Sequence, residues 1–207
     1  MSPALYGVGV DPGARSGAAV LLRDQGGGVL DARWSASWTR LERRGGAVWR
    51  LTWRLRENPA EVQEYATLPD LYAALAAALR RAVEGLSGVD AMPVSVAVEG
   101  LFWDPRSPAP ELYEATGDLI GCLSRVGLQP DGRPAASTWR PAVLGIAGNT
   151  KAATAELAAF RWATAPRGVW PEGAPAETAA EGGALAEAAA IALYGIRDWR
   201  SRQRGGA

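Results

Sequence analysis

The sequence predicts an α/β fold in a single domain, and three observations carry this. Residues 6–56 are rich in segments with the two-residue alternation of strands. Later segments place apolar residues three and four apart, the spacing of helices with one buried face. Between two of those helical segments lies one more alternating stretch, Val94 to Val98. At 207 residues the chain is long enough for one domain with a sizeable core.

The first strand is Tyr6 to Asp11. Tyr6, Val8 and Val10 alternate with Gly7, Gly9 and Asp11, so Asp11 shares a face with two glycines, where a ligand or another backbone can come close. Pro12-Gly13 turns the chain, and Gly17 to Leu22 reads as the return strand of a hairpin. An aspartate here is either the first of a carboxylate set or a turn-capping residue before Pro-Gly. Gly26-Gly-Gly28 is a further turn. Val29 to Thr39 and Val48 to Arg56 extend an antiparallel meander, joined around Arg43-Arg44-Gly45-Gly46. Trp34, Trp38, Trp49 and Trp53 lie along these strands. They serve either as stacking platforms for nucleic acid or as packing against the sheet.

Glu57 to Ala60 begins a connector, and a helix follows from Leu68 to about Leu86 with Leu71, Ala74, Leu75, Leu79 and Val83 on its apolar stripe. Val94 to Val98 is a strand that ends in Glu99. A second helix spans about Pro110 to Arg125. A short extended segment at Pro134 to Ser137 leads to a helical turn at Trp139 to Leu144, with Thr138 as its cap. Gly145 to Lys151 is a small-residue loop that opens another helix, to about Ala163. Backbone N–H groups at such a helix start, with Lys151 in the first turn, suit a phosphate, although the loop is not a Walker A sequence. The last helix opens at Thr178 or Gly183 and runs to about Trp199.

Composition narrows the chemistry. The chain has no histidine, which removes imidazole acid/base catalysis and imidazole metal ligands. Its one cysteine, Cys122, allows no intrachain disulfide or thiolate zinc cluster and reads as a small core residue. Any metal here would have oxygen ligands, which points to magnesium or manganese. No apolar run approaches a membrane span and no signal peptide is evident, so a cytoplasmic setting is expected. Net charge is zero, but seven arginines fall between Arg33 and Arg56 and four between Arg197 and Arg204. These basic segments either grip a polyanion or are ordinary solvated charge.

Three acids stand out because each is isolated in an apolar element. Asp11 and Glu99 end strands on their small-residue face, and Glu187 is the one charged residue between Ala184 and Tyr194. Buried carboxylates are costly unless paired or metal-bound. A shared cation is one explanation for the set; salt bridges to arginine are the other.

Taken together, these residues resemble the RuvC-like Holliday-junction resolvases of the RNase H-like superfamily. Gly9-Val-Asp-Pro-Gly13 with Ser16-Gly17 resembles the family's first hairpin. Val96 to Phe102 resembles its fourth strand, Arg140 to Lys151 its segment with a basic residue at each end, and Glu187 to Ala192 its final acidic helix. Gly26 to Pro69 is long for the family and poorly matched.

The resemblance implies one RNase H-like domain over residues 1–207. Its central sheet would be five-stranded and mixed, with three antiparallel strands followed by two parallel ones. An extended hairpin between the second and third strands would occupy about 26–58. It further implies a homodimer, in the cytoplasm of a bacterial or phage-infected cell, that cuts four-way DNA junctions symmetrically with two Mg²⁺ ions, Mn²⁺ being able to substitute. By position, Asp11, Glu99 and Glu187 would be catalytic metal ligands, and Lys151 would join them as a catalytic residue. Phe102 would stack on an opened base. Arg140 and Lys151 would contact the scissile phosphate or its neighbours. Trp103 and Arg106 in the loop after Glu99, and Arg43 and Arg44 in the basic segment, are further candidate DNA contacts. The family has two acids three residues apart on the last helix; here the first falls at Ala184, and Glu181 would substitute only if the helix begins early enough. The missing acid leaves a catalytically impaired junction-binding protein as an alternative. A further alternative is an ATP-binding relative of the sugar kinases, because Asp-Pro-Gly-x-x-Ser-Gly also resembles their phosphate loops.

Overall fold

A computed structural model describes residues 5–24, 30–55, 58–86, 95–101, 109–145 and 179–205, with only the backbone of 179–182. The strands are β1 (Leu5–Asp11), β2 (Ser16–Asp24), β3 (Leu30–Arg43), β4 (Gly46–Leu55), β5 (Glu61–Tyr65) and β6 (Ser95–Val98). The helices are α1 (Leu68–Glu84), α2 (Pro110–Arg125), α3 (Ala136–Leu144) and α4 (Ala179–Gly205). The strands form one sheet in the order β5-β4-β3-β2-β1-β6, antiparallel throughout except for the parallel pair β1/β6.

The mixed α/β sheet expected from the sequence is present, with six strands rather than five. The long hairpin supplies two separate strands, β3 and β4. The connector after it forms the edge strand β5, which pairs through its backbone while four of its five residues stay exposed. Glu61 and Glu64 flank the exposed Val62 there, and such charges blunt an open edge. The second parallel strand is reduced to two isolated bridges, Ala97 with Gly132 and Gly100 with Ala135. Pro130 and Pro134 border this segment and remove two of the N–H donors a ladder needs. Among the described residues, no helix is long and apolar enough to cross a membrane.

The alternation read in β1 sorts the core into two layers. Val8, Val10, Val96 and Val98 face α1 and α2. The opposite face, with Ala18, Val20, Leu22 and Ala97, meets α3 and the alanine-rich stretch of α4. A bulge at Leu21/Leu22 skips Arg33, so Trp34 and Trp38 lie in the first layer while Ala32 lies in the second. The four hairpin tryptophans therefore pack against the protein: Trp34 and Trp38 are buried, and Trp49 and Trp53 lie partly buried against the same core.

Helix boundaries follow their signals. Thr67 caps α1 by accepting from the Asp70 N–H at 3.2 Å. α2 spans the residues its stripe predicts. Thr138 is not a cap: α3 begins two residues earlier, with Ala135 at its N-cap. α4 runs six residues past Trp199, along a polar end that has no apolar periodicity to mark it.

Tyr72 of α1 is buried and its hydroxyl donates to the Gly13 carbonyl at 3.2 Å. Burial, helped by the negative potentials of Asp118 and Cys122, raises its phenol pKa well above the ordinary value near 10. Unfolding exposes a phenol that ionises near pH 10, whereas the folded phenol stays protonated there. The Tyr72 contribution to stability is thus complete below pH 10 and is lost as pH rises above it. Denaturation series from pH 8 to 12 are expected to show this alkaline loss, and Tyr72→Phe is expected to reduce its slope. At neutral pH the variant loses about 1 kcal/mol with its hydrogen bond. An unchanged alkaline slope in Tyr72→Phe would assign the loss to other groups.

Candidate active site

The site grows from the seam between β1 and β6. The two strands are parallel with Val10 beside Val98, and the Glu99 N–H donates to the Val10 carbonyl at 2.9 Å. Asp11 and Glu99 are therefore the next residues on neighbouring strands. Both follow valines that face α1 and α2, so both belong to the α4 face.

α4 reaches this seam because β1 offers it glycine. A Cβ at Gly9 would run into the Ala188 carbonyl oxygen and the Ala192 nitrogen, and one at Gly7 would stand 2.7 Å from Ile196 Cγ1. Only a strand face without side chains lets a helix backbone come this close. From Gly7 to Gly9 the facing helix residues step from Ile196 back to Ala188, so α4 runs against β1. One more step along that path would bring Asp11 towards the helical turn that carries Ala184 and Glu187. Asp11 is 6% exposed and Glu187 1% exposed, while Glu99 is half-buried.

α3 holds two of these acids with adjacent residues. Trp139 Nε1 donates to Glu99 Oε1 at 3.1 Å, and Arg140 Nη2 donates to Glu187 Oε1 at 3.1 Å. The Arg140 guanidinium also lies over the Trp139 ring, 5.2 Å from its centre. Trp139 is fully buried, so this end of α3 is fixed in place. Both explanations of the isolated acids thus have a foothold: Asp11 and Glu99 end neighbouring strands, and Glu187 is paired with arginine.

The turn after Asp11 is clamped from outside. The Gly13 carbonyl accepts from Trp38 Nε1 at 2.9 Å as well as from Tyr72, and the Ala14 carbonyl accepts from Trp49 Nε1 at 3.3 Å. The Arg40 N–H donates to the Arg15 carbonyl at 2.7 Å. Trp38 and Tyr72 meet edge to face, 5.6 Å between ring centres. The hairpin tryptophans are thus fasteners of the Asp11 turn. Sequence gave no sign of this, since the partners lie 25 and 35 residues away.

The other expected site residues divide. Arg43 and Arg44 sit exposed at the β3–β4 tip, at the same end of the sheet as Asp11, and Arg43 pairs with Glu64 at 2.6 Å. Other arginines of the basic segments are also paired: Arg33 with Asp31 and Arg40 with Glu42 locally, and Arg200 with Asp24 across the fold. α4 begins early enough to include position 181, but the Glu181 side chain is not among the described groups. Phe102, Trp103, Arg106, Lys151 and the phosphate-loop segment 146–151 lie outside the described residues.

The donor chemistry fits a hard divalent cation: the three acids supply only oxygens. The arrangement is not a closed cage, however. Among the described residues, no group of three acids is placed to hold a metal ion. Glu187 carries a guanidinium and Glu99 an indole N–H instead.

No family model matches this chain, and no curated protein matches it by sequence. Solved structures do. A Thermus thermophilus RuvC structure is 18% identical, with a TM-score of 0.53 over 97% of this chain and 96% of that one. T. thermophilus RuvC in complex with a Holliday junction substrate is 16% identical, with a TM-score of 0.54 over 98% and 96%. The chain accordingly has a RuvC-like, RNase H-like fold.

Proposed function

We propose that this chain is a metal-dependent endonuclease that resolves four-way or other branched DNA junctions. The observation that supports the reading is that Asp11 and Glu99 end neighbouring strands while adjacent α3 residues contact Glu99 and Glu187, on a fold shared with a protein solved on a Holliday junction. Asp11, Glu99 and Glu187 would hold Mg²⁺ or Mn²⁺, with Glu181 as a further candidate. Such ions would supply activation of a water and stabilisation of the leaving oxygen of a phosphodiester. The chain's own residues do the rest. β1, β6 and α4 fix the acids on rigid elements, and the clamped Pro12–Arg15 turn keeps Asp11 from moving with the loop. Arg140 and Lys151 would meet phosphates near the cut, and Phe102 would stack on an opened base beside Trp103 and Arg106. Arg43 and Arg44 would follow the DNA backbone beyond the same end of the sheet. A homodimer would present two such sites and cut the junction symmetrically.

Synthetic four-way junctions test this directly. Binding in EDTA and paired, symmetric cuts with Mg²⁺ or Mn²⁺ are expected. A chain that neither binds nor cuts branched DNA with either metal overturns the reading.

A second reading has its own observation. Ala184 is buried one turn before Glu187, at the place where the resemblance expects an acid. A junction-binding protein with impaired catalysis would bind the same DNA and leave it intact at every metal concentration.

A further inference from the structure

We infer that Arg140 is a built-in rival of the metal: its guanidinium holds Glu187 in the ligand-free chain, and a divalent cation gains that carboxylate only against it. This deepens the proposed function and rests on its reading of the three acids as metal-holding.

The pair is placed to matter. Glu187 is 1% exposed at its side chain and Arg140 11%, with 3.1 Å between their charged atoms. So shielded a pair is little screened by salt, and a second cation beside it meets the guanidinium's field at short range. Arg140 is not loosely held: Trp139 next to it is fully buried, and its guanidinium lies over that ring. Nor is it fully satisfied. Its Nε is buried without a hydrogen-bond partner among the described residues, so the guanidinium's fork of donors is only partly used. A side-chain rotation that takes the fork to a two-oxygen acceptor, such as a phosphate, completes its bonding and leaves the carboxylate to the metal. The buried Ala184 sharpens the contest. With no acid at that position, the loss of Glu187 to arginine removes a larger share of the negative charge that attracts a cation.

Mn²⁺ binding to the full chain, measured by calorimetry without DNA, tests this. Arg140→Gln is expected to bind Mn²⁺ about tenfold tighter than the unaltered chain, within the range that changes beside metal ligands produce. Arg140→Lys, which keeps the charge, is expected to stay near the unaltered value. Equal or weaker binding by Arg140→Gln overturns the inference while leaving the metal reading in place. Absence of binding in both chains overturns the inference and the metal reading together. Because Arg140→Gln removes a charge partner of a buried carboxylate and risks misfolding, a second measurement uses the unaltered protein. The Arg140 ¹⁵Nε signal, identified by its loss in Arg140→Lys, is expected to shift as Mg²⁺ saturates the site. A signal that stays in place at saturation overturns the inference independently.

Discussion

Gly9→Ala is expected to be among the most damaging single-methyl changes in this protein. The new Cβ would press on the Ala188 carbonyl oxygen and the Ala192 nitrogen and α-carbon, all main-chain atoms of a helix. None can rotate aside as a side-chain tip would, so α4 must lift or β1 must bend. Overpacking a well-packed interior costs about 1–3 kcal/mol, and a contact with fixed backbone belongs at the upper end. For a chain of this length, about 3 kcal/mol lowers the melting temperature by roughly 6–12 °C. Gly121→Ala is the matched control. That position lies within α2, and a Cβ there meets nothing within 4 Å. Alanine in a helix interior is favoured over glycine by about 1 kcal/mol, so the control is expected to gain about 2–4 °C. Calorimetric melting of both variants checks the contrast. A Gly9→Ala protein that melts within 2 °C of the unaltered chain would show that helix and strand do not approach so closely. The same displacement moves Glu187 away from Asp11, so any metal affinity of the site is expected to fall along with stability.

The glycines of β1 were legible in the sequence because alternation is local: seven residues suffice to show that Gly7, Gly9 and Asp11 share a face. α1 and α2 were legible for the same reason, since an apolar stripe repeats within the helix itself. β5 was not. Its burial is decided by the backbone ladder to β4, and side chains that stay in water carry no period. The second parallel strand that the resemblance implies is reduced to two bridges because Pro130 and Pro134 lack the N–H donors that a continuous ladder uses. At the site, the acids were legible as charges isolated in apolar runs. Their partners were not: Trp139 to Glu99 spans 40 residues and Arg140 to Glu187 spans 47. Such contacts depend on how α3 is laid across α4, which no local pattern encodes. Arg140 illustrates the consequence. The resemblance assigns it to phosphate, whereas the fold places it on an acid of the same site. Under the proposed function, a residue able to serve both partners in turn would link the binding of DNA to the filling of the acidic cluster.

Asp11→Asn is expected to abolish junction cutting while leaving the protein folded and bound to DNA. Asparagine keeps the shape of the side chain and one acceptor oxygen but removes the charge. The turn that follows has its own fasteners, because Trp38, Trp49 and Tyr72 hold the Gly13 and Ala14 carbonyls. β1 remains paired on both sides through its backbone. Melting temperature is therefore expected to stay within a few degrees of the unaltered value. Loss of partners that merely orient metal ligands costs about 10–100-fold in activity, so loss of a ligand charge is expected to exceed about a hundredfold. DNA affinity in EDTA, which the proposed function assigns to basic residues away from Asp11, is expected to be unchanged. The informative measurement pairs a gel-shift titration in EDTA with single-turnover cutting in Mg²⁺ and Mn²⁺. Cutting by Asp11→Asn at the unaltered rate would remove this carboxylate from the chemistry. Binding without cutting by the unaltered chain would instead select the impaired reading, because Asp11, Glu99 and Glu187 would then be too few without an acid at position 184.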